Sequence, residues 1–102
     1  MSYQDVPAHK LEELLSAGFQ LVDVREPMEV ARGAHPQAKN IPLSELPHRF
    51  RELDRSRPVA VICQSGARSA NAASQLVRFG FSRVASIAGG MSAVNRLSGR
   101  SF

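Results

Sequence analysis

Cysteine is all but missing from this chain: 102 residues carry one, Cys63, so no internal disulfide can form. A lone thiol fits a reducing compartment, and a cytoplasmic location is the expectation. Tryptophan is absent, tyrosine occurs once and phenylalanine five times. No apolar run approaches the roughly 20 residues that a membrane-crossing helix needs, so no membrane partner is expected. The start, Met1-Ser2-Tyr3-Gln4-Asp5, has neither a basic stretch nor an apolar one, so no signal peptide is expected. Three histidines are present, and His9 and His48 have no ligand-like spacing to another histidine or to Cys63. Neither a metal site nor an organic cofactor is expected. His35 stays open as a residue whose loop borders the pocket.

Charge of one sign is in mild excess, 13 basic against 9 acidic side chains, for a net charge of +4. A basic face can mark a nucleic-acid binder. Here the basic residues are interrupted by acids, as in Arg49-Phe50-Arg51-Glu52-Leu53-Asp54-Arg55, and no aromatic residues interleave with them as a stacking platform. The excess reads as a solvated surface that weakly attracts small anions. Nucleic acid is not an expected partner.

What is present is an ordinary globular composition, 43% hydrophobic and 22% charged, in a length that suits one domain over residues 1–102. Val6-Pro7-Ala8 is expected to open a first helix, with Leu11, Leu14 and Leu15 on its apolar face and Gly18 at its end. Leu21 to Val24 reads as a strand buried on both faces, which makes the charge of Asp23 a matter to explain. Pro27 to Arg32 suits a short helix in which Arg25 and Glu29, four apart, could pair. Gly33 to Lys39 reads as loop, Ile41 to Leu43 as extended, and Ser44 to Leu53 as one or two helical turns. Val59 to Cys63 is the central strand and Ser69 to Phe79 a helix closed by Gly80. Val84 to Ile87 is a strand, Gly89-Gly90 a turn, Met91 to Leu97 a last helix, and 98–102 a loose tail. Strands alternating with helices imply right-handed crossovers and an α/β fold, a central mostly parallel sheet covered by helices on both faces.

In such sheets ligands bind beyond the carboxyl ends of the strands, where Cys63 lies. A cysteine at a strand end is, without context, commonly a small core residue. The context is Cys63-Gln64-Ser65-Gly66-Ala67-Arg68-Ser69, a short loop running into a helix. Backbone N–H groups at a helix start and in a curled loop favour an anion. They can bring a thiol from about 8.5 to roughly 3.5–7.5. Arg68 offers a planar fork for an oxyanion, or for a carboxylate that braces the loop.

Cys-x-x-Gly-x-Arg-Ser after an apolar strand resembles the active-site loop of the rhodanese sulfurtransferases. Leu21-Val22-Asp23-Val24-Arg25-Glu26 resembles that family's first core strand. Glu29 to Gly33, Ala38 to Leu43 and Gly89-Gly90-Met91 resemble its following segments, so the likeness runs from about Tyr3 to Leu97. The family often reads Gly-His-Ile-Pro-Gly-Ala where this chain has Gly33-Ala34-His35-Pro36-Gln37-Ala38, and often has Trp near the position of Val94. Those departures bear on the pocket rim and on acceptor choice.

The resemblance implies a rhodanese-like fold and a thiosulfate sulfurtransferase. A Cys63 persulfide would carry sulfur from thiosulfate, or a similar small anionic donor, to cyanide or a thiol, a protein thiol included. Gln64, Ser65, Gly66, Ala67, Arg68 and Ser69 would cradle the substrate. Asp23 would brace the loop through Arg68 or through backbone N–H groups, and Arg25 would be structural, paired with Glu29. A sulfur-carrier or docking module is the alternative from another class. A phosphatase or arsenate reductase of related fold is disfavoured, because protein tyrosine phosphatases place one more residue between cysteine and arginine.

Overall fold

A computed structural model describes residues 2–99, apart from the side chain of Ser98. Five strands form one sheet: β1 (Gln4–Pro7), β2 (Gln20–Asp23), β3 (Ala38–Asn40), β4 (Val59–Ile62) and β5 (Val84–Ala88), in the order β1-β5-β4-β2-β3. Every pairing is parallel. The helices are α1 (Leu11–Ser16), α2 (Pro27–Val30), α3 (Leu46–Arg49), α4 (Ala67–Arg78) and α5 (Gly90–Ser98), with single 3-10 turns at Ala8–Lys10, Leu43–Glu45 and Phe50–Glu52.

Side chains alternate across the sheet, and the two faces fill from different helices. Val22, Val24, Val59, Val61 and Val84 pack with Ala72, Ala73 and Leu76 of α4 and with Leu46 and Phe50. Leu21, Ala60, Ile62, Ala85 and Ile87 pack with Leu11 of α1 and with Met91 and Val94 of α5. Both faces of the sheet are therefore covered by helices, as the alternation of elements implies. β4, the middle strand, is buried along its whole length.

The edges differ from the sequence expectation. Gln4–Pro7 pairs with β5 as a strand, where a helix start was expected, and α1 begins only at Leu11. β1 is short and three of its four residues are exposed, so it carries no run of buried residues to announce it. Its proline is tolerated because the strand lies at an edge. At the other edge Ala38–Asn40 pairs with β2, inside and just past the stretch expected to be loop. Ser44 to Leu53 does hold short helical turns. α4 starts two residues earlier than expected, which puts Ala67 and Arg68 in its first turn. α5 runs through Ser98 and is capped by Gly99; the last three residues of the expected tail, 100–102, lie outside the described residues.

Candidate active site

β4 ends at Ile62, and Cys63 follows with 1% of its surface exposed. The chain then turns sharply. Gly66 takes φ +111°, and a Cβ there would press on the backbone nitrogen of Gly89 at 3.2 Å. This turn aims N–H groups back at the thiol: Gly66 N–H donates to Cys63 Sγ at 3.1 Å and Ser69 N–H at 3.3 Å. Ser69 is the third residue of α4, so its N–H belongs to the first turn, which has no intrahelical acceptor. The sulfur takes that place.

The carbonyls of the loop are held from outside. Met91 N–H donates to Cys63 O at 2.8 Å and Ser92 N–H to Gln64 O at 3.1 Å, so the first turn of α5 is satisfied by the loop. The approach is close enough to require glycine. Gly90 has φ +56°, and a Cβ there would overlap Cys63 O and lie 2.7 Å from the Gln64 carbonyl carbon. With its carbonyls turned toward α5, the loop presents N–H groups to the sulfur. Burial pushes the Cys63 thiol up, and donation from the Ser69 hydroxyl and from the N–H groups of Ser69, Gly66 and Ser65 outweighs it, leaving the pKa below the ordinary value.

The side-chain cations around the loop are each engaged by a carboxylate. Arg68 grips Glu29 with two parallel bonds, 2.6 and 2.8 Å. That grip, together with the Glu26 N–H, holds the Glu29 carboxyl down at about 2 against 4.5. Arg25 and Asp23, both buried, pair at 2.8–3.0 Å, and Asp23 also accepts the Arg25 backbone N–H. Arg25 further donates to Gly33 O at 2.9 Å and to Gln64 Oε1 at 3.3 Å, while Gln64 Nε2 donates to Ser92 Oγ at 2.8 Å.

Two expected partnerships are thus corrected. Glu29 pairs with Arg68, not with Arg25. Asp23 pairs with Arg25, not with Arg68, and among the described residues it reaches the loop through the Arg25–Gln64 bond. In the first case α2 turns the Glu29 carboxylate toward the loop, so spacing along the chain misjudged the partner. In the second, a doubly buried guanidinium two residues away was the nearer mate for Asp23.

Gln64, Ser65, Gly66, Ala67, Arg68 and Ser69 do surround the thiol end of β4, with Ser65 and Ala67 exposed at the rim. His35 is buried; its Nε2 meets Glu12 Oε2 at 2.8 Å and its Nδ1 accepts the Gln37 N–H at 3.1 Å. Those contacts tie its loop to α1. Ser92 carries no signal in the sequence, and the one for Ser86 is a polar residue at an inward position of β5. Among the described residues no group of three or more His, Cys, Asp or Glu side chains could hold a metal ion, and no helix is long and apolar enough to cross a membrane.

Buried sulfur under converging N–H donors can attack a soft electrophile and hold the added atom. Comparison with known proteins gives a consistent picture. The rhodanese-like domain model matches residues 7–97. A sulfurtransferase of Allochromatium vinosum is 41% identical over 71 residues, 70% of this chain and 66% of that protein. The thiosulfate sulfurtransferase GlpE of Pseudomonas syringae is 33% identical over 88 residues, 86% of this chain and 83% of that one. The crystal structure of a rhodanese-related protein from Thermoplasma volcanium superposes with a TM-score of 0.84 at 35% identity, covering 93% of each chain.

Proposed function

Since this chain belongs to the rhodanese-like domain family, we propose that it moves a sulfane sulfur from thiosulfate, or a similar small anionic donor, to a thiophilic acceptor by way of Cys63. The observation that supports this most is the pair of N–H donors, from Gly66 and Ser69, on a sulfur at the carboxyl end of the central strand. The thiolate attacks the outer sulfur of thiosulfate. A bond forms between the two sulfurs, the bond to the sulfonate sulfur breaks, and sulfite leaves with that electron pair. The persulfide then gives its outer sulfur to cyanide or a thiol, and Cys63 returns to the thiolate. Sulfur changes hands without an outside oxidant or reductant.

Each neighbour has a role in this scheme. The N–H groups of the loop hold the negative sulfur in both states, as donors hold an oxyanion. Arg68, braced by Glu29, keeps the first turn of α4 in register with the sulfur. Asp23, at the end of β2, and Arg25, two residues past it, support Gln64. A cytoplasmic setting, with its pool of thiols as acceptors, suits this chemistry.

Intact mass after incubation with thiosulfate tests the scheme. A gain of one sulfur that maps to Cys63, and that cyanide or a reducing thiol removes, is the expected result. No gain at a reduced Cys63 would overturn thiosulfate as donor. Loading from a persulfidated protein, but not from thiosulfate, would mark a dedicated sulfur carrier instead.

A further inference from the structure

Ser86 plays no part in the scheme above, although it is the one polar residue inside β5 (Val84-Ala85-Ser86-Ile87-Ala88). It is 1% exposed and stands on the same face as Val84, toward α4. A hydroxyl buried there needs a partner, and it has one: Ser86 Oγ lies 2.9 Å from Ser69 Oγ. Ser69, fully buried, is also 3.0 Å from Gly66 O, and its backbone N–H meets the Cys63 sulfur at 3.3 Å, which holds the residue against that sulfur. A hydroxyl has a single proton to give. Ser69 serves either Gly66 O or the sulfur at one time, and it can serve either only when Ser86 is the donor between the two serines.

We propose that Ser86 is a positioning residue, whose O–H donates to Ser69 Oγ and so leaves the Ser69 proton to turn from Gly66 O to the Cys63 sulfur as that sulfur becomes a thiolate. The chain Ser86–Ser69–Cys63 then runs from the core of the sheet to the reacting atom, each bond polarising the next. This rests on Cys63 being the nucleophile, and on no particular sulfur donor. The charged groups around the loop are Arg68 with Glu29 from α2 and Arg25 with Asp23 from β2. The α5 turn packed on it contributes backbone N–H groups and the Ser92 hydroxyl. The Ser69 and Ser86 hydroxyls bond to each other, and Ser69 also to Gly66 O.

The test follows the ultraviolet absorbance of the thiolate against pH in the whole protein, with Cys63→Ser as the blank. As the only cysteine, Cys63 accounts for the entire signal. Ser86→Ala should raise the midpoint by about half a unit, roughly a threefold loss of thiolate below it. Ser69→Ala should raise it further, and adding Ser86→Ala to Ser69→Ala should change nothing more. Ser86→Thr, which keeps the hydroxyl, should hold the wild-type midpoint. A Ser86→Ala curve that overlays wild type would overturn the relay, as would shifts that add in the double variant. So would a folded Ser86→Thr variant with a raised midpoint, and this arm stands even where the alanine variant does not fold. No sulfur donor enters the titration, so a failure of sulfur transfer would leave its outcome unchanged.

Discussion

Arginine does different work at the two ends of the sheet. At the carboxyl end, Arg25 and Arg68 are each gripped by a carboxylate, Asp23 and Glu29. At the amino end, Arg83 lies over the Phe19 ring at 5.2 Å, Arg55 over Phe50 and Phe81 at 5.9 and 5.8 Å, and Arg57 donates to Gly18 O. The Arg83 and Arg55 guanidiniums cover aromatic rings of the core. The net charge of +4 therefore has a strong foothold away from Cys63. Next to the sulfur, the attraction for negative charge comes from the Ser69 hydroxyl and from peptide N–H groups, fixed by the backbone turn and by the first turn of α4.

Removing the sulfur should have the largest effect. Cys63→Ser is expected to abolish sulfur transfer with the fold retained, measured by turnover of thiosulfate and by far-ultraviolet circular dichroism. Turnover at wild-type rate would end the distinction between the two ends. Next comes the backbone that shapes the cradle. Gly90→Ala would force a Cβ onto the Cys63 carbonyl and a side chain onto positive φ. That strain is of order 1–3 kcal/mol before the clash is counted, so thermal melting should fall by several degrees and the donor reaction should slow with it. Unchanged melting would mean that α5 does not hold the loop.

Side-chain charge should matter less. Arg68→Ala leaves Glu29 ionised and unpaired beside the loop, and a slowing of the donor reaction by roughly tenfold, about 1.4 kcal/mol, is expected in single-turnover kinetics. Arg57→Ala at the far end should leave that rate alone; equal losses in both variants would mean that overall charge, not the cradle, draws the donor in.

The smallest effect concerns acid stability. The Glu29 carboxyl titrates at about 2 in the folded protein against 4.5 when free of partners. Its contribution is complete above 4.5 and is lost as pH falls through the folded value near 2. With both partners about a third exposed, solvent screening keeps it under about 1 kcal/mol. Denaturant melts of Glu29→Gln should therefore converge on wild type toward the acid end of that window. A gap that widened there would contradict the pairing.

The interior of this fold was legible in the sequence because parallel strands buried on both faces leave a clear record. Leu21 to Val24, Val59 to Ile62 and Val84 to Ile87 are runs that only a covered sheet accommodates. The edges left no such record: β1 is mostly exposed and ends in Pro7, and β3 is three residues with none fully buried. The thiol and its loop could be found from residue order, since a cysteine, a glycine and a helix start at fixed spacing carry their geometry with them. Who pairs with whom could not. Glu29 is 39 residues from Arg68 and Gln64 is 28 from Ser92, distances along the chain that only the packing of α2 and α5 against the loop closes. Spacing favoured Arg25 with Glu29, and the fold overrode it.

One titration reaches the central claim, that the Ser69 hydroxyl and the peptide N–H groups of the loop outweigh burial and lower the Cys63 pKa. The thiolate absorbance of the wild-type protein is followed against pH, once folded and once in denaturant, so that the same thiol serves as its own reference. The folded midpoint should lie below the unfolded one, which belongs near the ordinary value of about 8.5. Between the two midpoints the unfolded chain binds more protons, so stability should also rise with pH through that window. A folded midpoint at or above the unfolded one would mean that burial outweighs the cradle, and that the sulfur is held as a thiol.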